Sequence, residues 1–503
     1  MTPLLVVAAL RSEYAALLGV GPDATLERCG MGPVRVRQWL PQLQRLAPRA
    51  VAVAGVAGGL DPSLRPGDVV VATEVRDESG RIALRSVAPL VADLRRRGIR
   101  VRTGPVVSVD HIVTSRQERE RLAAAGAVAV DMESAAIVRA ARELPGEPPM
   151  AVIRVVVDTF DTPIARLRTL PAGAKALNTL HKVGPALRAW ADLAAPRHVL
   201  LAGPRSFCAG VERAIDIVEA ALRRFPHPIY VRRQIVHNAH VVRDLERQGV
   251  VFVDELDEVP DSTTVVFSAH GVAPAVRDEA ARRGLNVIDA TCPLVTKVHT
   301  EARRFVGRGQ SVLLVGHAGH DEVEGTLGQA PGKITLVQDA AEAETVEVAD
   351  PDNVAFVLQT TLGMDDAAAT VATLRRRFPS ITSSPTDDIC YATTNRQRAV
   401  LAIVRDCDLL LVIGSKNSSN SRRLVEVAEA AGTRAYLVED ATEVLPEWLK
   451  DAHTVGITAG ASAPPHLVDE LVATLRALGH VDVEERVIAR EDLTFSLPKG
   501  VAG

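Results

Sequence analysis

The sequence predicts an α/β protein from end to end, on three observations. Short runs of Val, Leu, Ile and Ala close on small residues and lead into amphipathic segments, as at Val51–Ala57, Val265–Ser268, Val312–Val315, Val354–Leu358, Leu409–Ile413 and Thr454–Thr458. Such runs read as buried parallel strands, each feeding a helix. One break interrupts the alternation: the helical stretch Ala172–Leu193 ends on Ala194-Ala195-Pro196-Arg197, and a fresh strand starts at His198–Ala202. Past that break, a strand-to-helix junction carrying a cysteine recurs three times. The break divides the chain into domains 1–195 and 196–503, and the recurrence predicts three related lobes around a common centre in the second.

Composition narrows the partners. The chain has 58 basic and 62 acidic side chains, a formal net charge of −4. That balance points to no nucleic acid and no acidic membrane surface. The triplets Arg95-Arg96-Arg97 and Arg375-Arg376-Arg377 fall at predicted helix ends, where a cation complements the helix dipole. No apolar window is long enough for a membrane span. The opening Met-Thr-Pro-Leu-Leu-Val-Val-Ala-Ala-Leu-Arg lacks a basic leader and reads as a first β-strand, not a signal peptide. Five cysteines, odd in number and sparse, do not form a secreted disulfide framework. The expectation is a cytoplasmic protein whose special cysteines serve metal binding or catalysis.

The three recurring junctions are Arg205-Ser206-Phe207-Cys208-Ala209-Gly210, Ala290-Thr291-Cys292-Pro293 and Asp388-Ile389-Cys390-Tyr391-Ala392-Thr393, spaced by 84 and 98 residues. A thiolate needs positive potential, which unpaired N–H groups at a helix start supply, and Pro293 suits a first helical position. Cys29 and Cys407 lack this context and read as small buried hydrophobes. Three thiolates alone do not choose between zinc and an iron–sulfur cluster; a cubane held by three would leave one iron open.

Other polar loops follow predicted strands, on the carboxyl side where α/β proteins bind ligands. They are Val236-His237-Asn238, Ser268-Ala269-His270-Gly271, Gly316-His317-Ala318-Gly319-His320-Asp321-Glu322, Gln359-Thr360-Thr361, Ser415-Lys416-Asn417-Ser418-Ser419-Asn420-Ser421 and Ala459-Gly460-Ala461-Ser462-Ala463. His, Ser and Asn donors at helix starts are what a diphosphate requires. Together with the cysteine junctions, these segments make residues 198–499 resemble the 4-hydroxy-3-methylbut-2-enyl diphosphate reductases of non-mevalonate isoprenoid synthesis. The resemblance implies three α/β lobes around one [4Fe–4S] cluster per chain. Cys208, Cys292 and Cys390 would hold three irons and leave the fourth to the substrate hydroxyl. Glu322 would relay the proton that lets water leave, with His320 and Thr360 positioning the hydroxyl. His237, His270, Ser418, Ser419, Asn420 and Ser462 would bind the diphosphate, and His320 is also among the implied substrate-binding residues. Ferredoxin or flavodoxin would deliver two electrons singly, and the products would be isopentenyl and dimethylallyl diphosphate. A non-enzymatic iron–sulfur sensor or carrier would need neither an open iron nor the diphosphate donors.

The first domain offers Ala54-Gly55-Val56-Ala57-Gly58-Gly59-Leu60 after an apolar strand, a turn at Leu64-Arg65-Pro66-Gly67-Asp68, acids ahead of a helix in Val130-Asp131-Met132-Glu133-Ser134, and a strand ending on a carboxylate in Arg154-Val155-Val156-Val157-Asp158. These read as an α/β sheet with a Gly-rich loop and acids at strand ends, acids that also serve as caps. Over residues 3–165 the set resembles the nucleoside phosphorylase/nucleosidase superfamily, nearest the hopanoid-associated phosphorylases. The resemblance implies that Glu133 holds the ribose hydroxyls, that Asp158 protonates the leaving purine, and that Glu13 matches the acid that activates water in the hydrolases. The implied reaction is phosphorolysis of an adenine nucleoside, adenosylhopane. The alternatives are a methylthioadenosine/adenosylhomocysteine-type nucleosidase and an inactive interaction module. Val56 stands where many members carry a Ser or Thr that touches the nucleophile, and Arg11 is a candidate phosphate ligand.

Overall fold

The computed structural model describes residues 3–160, 170–386, 388–498 and 500–501. Residues 161–165, the end of the predicted nucleoside-cleaving segment, lie outside the described residues. Two compact units emerge. One comprises Met1–Val199 with Asp440–Val455 and Asp469–Val483, the other Leu200–Glu439, Gly456–Val468 and Glu484–Gly503.

In the first unit, eight strands form one sheet: β1 (Leu4–Ala8), β2 (Ala24–Arg28), β3 (Val51–Gly59), β4 (Val69–Asp77), β5 (Gly80–Ala83), β6 (Val101–Ser108), β7 (Ala129–Asp131) and β8 (Met150–Asp158). The order is β2-β1-β3-β7-β6-β4-β5, with β8 pairing both β3 and β4. The strands β3, β7, β6, β4 and β8 therefore close into a ring. The sequence reading expected parallel strands, and here the sheet is mixed: β3·β7, β4·β8 and β4·β5 run antiparallel. Within the ring β3 and β8 run one way and β4, β6 and β7 the other. The register of β3 on β8 shifts between Ala57 and Gly58, a bulge inside the strand. The Gly-rich segment expected to be a loop is strand as far as Gly59, because glycines without side chains let β8 and β7 pair closely on either side. The helix Leu170–Ala191 supplies Trp190, fully buried. Its indole N–H donates to the Ser86 carbonyl at 2.8 Å, so burial strands no donor.

Two further sheets lie wholly in the second unit, and a third lies mostly in it. The first has β10 (Ile229–Arg232), β11 (Val250–Val253), β12 (Thr264–Phe267) and β13 (Asn286–Asp289), in the order β11-β10-β12-β13. The second has β14 (Ser311–Val315), β15 (Ile334–Val337) and β16 (Val354–Leu358), ordered β15-β14-β16. In both, all strand pairs are parallel. The third has β9 (Arg197–Gly203), β17 (Leu409–Ile413), β18 (Arg434–Val438), β19 (Thr454–Ala459) and β20 (Val481–Val487), ordered β18-β17-β19-β9-β20.

Alternation along each strand feeds two cores, as expected of parallel sheets covered on both faces. Val231 and Val266 enter one core of the first sheet, Val265 and Phe267 the other. Leu313 and Val315 enter one core of the second sheet, Val312 and Leu314 the other. The apolar runs singled out in the sequence are strands, and the arginine triplets sit at helix ends, in the last turn or cap of Ala88–Arg96 and the last turn of Met364–Arg377. No described helix is long and apolar enough to cross a membrane.

Candidate active sites

Each of the three junction cysteines caps a helix. Cys208 precedes Ala209–Arg224, Cys292 precedes Pro293–Gly307 and Cys390 precedes Tyr391–Ile403. A backbone hydrogen bond fixes each one: Cys208 N–H donates to Ala461, Cys292 to Ala269 and Cys390 to Thr360. Those acceptors lie in loops at the carboxyl ends of β19, β12 and β16, so all three sheets contribute to holding the thiols. The sulfurs line one cavity of about 110 Å³. A β-carbon placed on Gly210 would lie 2.7 Å from the Cys292 sulfur and 3.9 Å from that of Cys208. Only glycine leaves that space to the sulfurs. Burial pushes the Cys208 thiol up, the Cys292 thiol up to about 12 and the Cys390 thiol up to about 11, while backbone N–H groups of the following helices pull each down. Soft donors enclosed in one cavity are of the type that soft metal centres take. Cys29 is buried and Cys407 half-buried; neither lines this cavity.

The same cavity is lined by His237, His270, His320, Glu322, Thr360, Ser418, Ser419, Asn420 and Ser462, every other residue the sequence reading assigned to this half. Glu322 is only 2% exposed. Its carboxyl accepts the Thr360 backbone N–H at 2.7 Å and the Thr360 hydroxyl at 3.0 Å. Burial pushes Glu322 up to about 7 against those two hydrogen bonds. His320 caps the helix Asp321–Leu327, its Nδ1 accepting the Glu322 N–H at 3.1 Å. Thr360 thus holds the Glu322 carboxyl and His320 its backbone, in the cavity the three cysteines also line.

The histidines form a second cluster. His237 stacks on His270 with ring centroids 4.0 Å apart, and His320 stands edge-on to both at 5.4 and 5.8 Å. Burial lowers all three, His270 well below the usual histidine range and His320 to about 4. The result is a group of neutral imidazoles with N–H groups to offer an anion. Opposite them, Ser418 caps Ser419–Ala430, Asn420 binds Thr393 and Ala461, and the Ser462 hydroxyl donates to the His237 carbonyl at 3.0 Å. Asp321 and Arg233, to which the sequence reading gave no role, form an ion pair beside this cluster, with Asp321 3.9 Å from both His237 and His270.

In the first unit, Glu13, Glu133 and Asp158 line one cavity of about 140 Å³. Glu133 caps Ser134–Arg142 and accepts the Gly32 N–H at 3.0 Å. Gly32 has φ +88, which favours glycine. Burial pushes Glu133 up to about 7, against the pull of Arg154. Glu13 accepts three backbone N–H groups, from Ala9 (2.9 Å), Leu10 (2.7 Å) and Val56 (2.8 Å). Asp158 is ion-paired with the buried Arg119, which also donates to the carbonyls of Gly59, Val113 and Thr159. Arg154 holds Asp131 at 2.7 Å and lies 3.5 Å from Glu133. Sequence reasoning gave Arg119 and Arg154 no role. The available signal was an arginine inside the apolar strand β8, since a buried charge is informative where a buried valine is not. Arg11 is exposed and does not line the cavity.

Comparison with known proteins matches two stretches of the chain. The model of the LytB protein family matches residues 199–476, and that of the Phosphorylase superfamily matches residues 11–183. A 4-hydroxy-3-methylbut-2-enyl diphosphate reductase of Leifsonia xyli subsp. xyli is 57% identical over 304 residues, 60% of this chain and 90% of that protein. A 4-hydroxy-3-methylbut-2-enyl diphosphate reductase 1 of Mycobacterium tuberculosis is 53% identical over 323 residues, 63% of this chain and 98% of that protein. Among solved structures, the Plasmodium falciparum E-1-hydroxy-2-methyl-but-2-enyl-4-diphosphate reductase matches with a TM-score of 0.59 at 35% identity, covering 61% of this chain and 97% of that one. The chain belongs to the LytB protein family, and ahead of that region it carries a segment similar to the Phosphorylase superfamily.

Proposed function

We propose that domain 196–503 reduces 4-hydroxy-3-methylbut-2-enyl diphosphate to isopentenyl and dimethylallyl diphosphate, and that domain 1–195 cleaves an adenine nucleoside. The observation that carries the first reading is one cavity lined by three helix-capping thiols, an oriented Glu322 and three neutral histidines. The three thiols and the gap at Gly210 suit one [4Fe–4S] cluster per chain, which when bound supplies single electrons and an iron open to the substrate hydroxyl. The balance is one C–O bond broken and one C–H bond formed, with two electrons and two protons taken up and water released. His237, His270, Ser418, Ser419, Asn420 and Ser462 hold the diphosphate and so place the hydroxyl end toward the thiols. His320 and Thr360 hold Glu322, and Glu322 gives a proton to the departing hydroxyl oxygen. Ferredoxin or flavodoxin is the proposed electron donor, and the cytoplasm the proposed location.

For the first domain, Glu133 would accept hydrogen bonds from the ribose hydroxyls and Asp158 would serve the purine. Adenosylhopane remains the proposed substrate. Met31 and Ile112, which line the cavity at 45% and 52% exposure, suit a bulky apolar 5′ group. One observation favours water over phosphate as the nucleophile. The backbone N–H groups of Ala9, Leu10 and Val56, the kind of donors an inorganic phosphate seeks, are already taken by Glu13. A second anion there would meet like charge. Glu13 would then be the base that activates water.

Both readings are testable on the full chain. Purified without oxygen and supplied with a reductant, it should form both diphosphate products. Incubated with adenosylhopane or methylthioadenosine, it should release adenine at equal rates with and without phosphate. Phosphate-dependent release with a ribose-1-phosphate product would restore the phosphorylase reading. No adenine from either compound would leave the domain as an interaction module.

A further inference from the structure

Arg396 is completely buried, and the chemistry assigned above does not use it. It lies in the helix Tyr391–Ile403 that Cys390 caps. Its guanidinium donates to the carbonyl of Ser206 at 2.6 and 3.2 Å and to that of Phe207 at 3.2 Å, the two residues just ahead of Cys208. It also donates to Ala392 at 3.1 Å and to both carboxylate oxygens of Glu491 at 3.1 and 3.3 Å. Ser206 has φ +63, the left-handed region that non-glycine residues rarely adopt. The loop that delivers Cys208 is therefore held in a shape it would not favour alone. Glu491 comes from the non-helical, non-strand stretch 488–498 and also accepts the Asn395 amide at 3.0 Å. One ion pair thus joins two thiol-bearing junctions to the C-terminal segment.

We infer that Arg396 and Glu491 are positioning residues that set the reduction potential of the centre held by Cys208, Cys292 and Cys390. Arg396 favours the added electron and Glu491 opposes it. The inference rests on the reading that the three thiols hold an electron-accepting cluster. A buried ion pair is weak evidence for stability, whereas two fixed opposite charges beside a redox centre act on it directly. Both charges are fixed at the same junction: Arg396 bonds the two residues just ahead of Cys208, and Glu491 bonds Arg396. At an effective dielectric near ~20, one unit charge about 10 Å away changes an electron-transfer equilibrium roughly tenfold.

The test is a redox titration of the full chain, with iron and sulfide measured alongside, for wild type, Glu491→Gln, Arg396→Gln and the double variant. Glu491→Gln should raise the reduced-to-oxidised ratio at fixed potential about tenfold, equivalent to about 59 mV for one electron. Arg396→Gln should shift it the opposite way, and the double variant should return toward wild type. If Arg396→Gln fails to retain iron, Glu491→Gln decides alone. A Glu491→Gln protein that keeps its iron and titrates within twofold of wild type overturns the inference, as do single variants that shift in the same direction. Iron-free wild type would instead refute the cluster reading beneath it.

Discussion

Cys208→Ser, Cys292→Ser and Cys390→Ser should each remove most of the bound iron and nearly all reductase turnover. Cys29→Ser and Cys407→Ser should leave both near wild type. The contrast follows from placement. The first three sulfurs share a cavity, and each starts a helix whose N–H groups face it. Cys29 lies in the other unit, and the Cys407 thiol donates to the Ile403 carbonyl at 3.2 Å, a role a hydroxyl can take over. A serine oxygen is a harder donor and a poor thiolate substitute, and loss of one ligand from a three-ligand site leaves the metal centre two. Iron and acid-labile sulfide per chain, measured on proteins purified without oxygen, check this. Full iron content and turnover in any one of the three serine variants would remove that cysteine from the ligand set.

The cysteine junctions were legible because their signals are local. An apolar run, a small or polar loop and a helix start specify an N-cap wherever they occur, and Pro293 after Cys292 marks a first helical turn. The histidine and serine loops were legible for the same reason, each following a strand that β10, β12, β14, β17 and β19 supply. What stayed hidden is tertiary. The Arg119–Asp158 pair spans 39 residues, and the Arg396 bonds to Ser206 span 190. No periodicity encodes such a meeting. The closure of the first sheet was hidden too. Buried runs such as β3 and β8 look alike whether the neighbour is parallel or antiparallel, because both faces are covered either way. Glu13 shows the limit from the other side. The sequence marked the residue, but only the three N–H groups around its carboxylate bear on which nucleophile the site accepts.

Glu322→Gln should keep iron content and substrate binding yet lose turnover by roughly 10²–10⁴-fold, the contribution of a positioned general acid. The substitution preserves size, and its amide oxygen can still accept from Thr360, so the cavity wall should hold its shape. What disappears is a transferable proton. The geometry makes that proton available: burial pushes the carboxyl up to about 7 while Thr360 fixes both its oxygens. In the wild type the carboxyl is protonated below that value, so turnover should fall as pH rises through about 7. In the glutamine variant this limb of the profile should vanish along with most of the rate. A Thr360→Val variant, which removes the 3.0 Å hydroxyl contact and leaves the backbone N–H, should show an intermediate loss and a limb displaced to higher pH. The displacement follows because the hydroxyl stabilises the charged carboxylate. Steady-state rates from pH 6 to 9 with a chemical reductant, alongside substrate affinity measured on the oxidised protein, separate these effects. A glutamine variant with wild-type turnover and an unchanged pH limb would move the proton relay to another residue of the cavity.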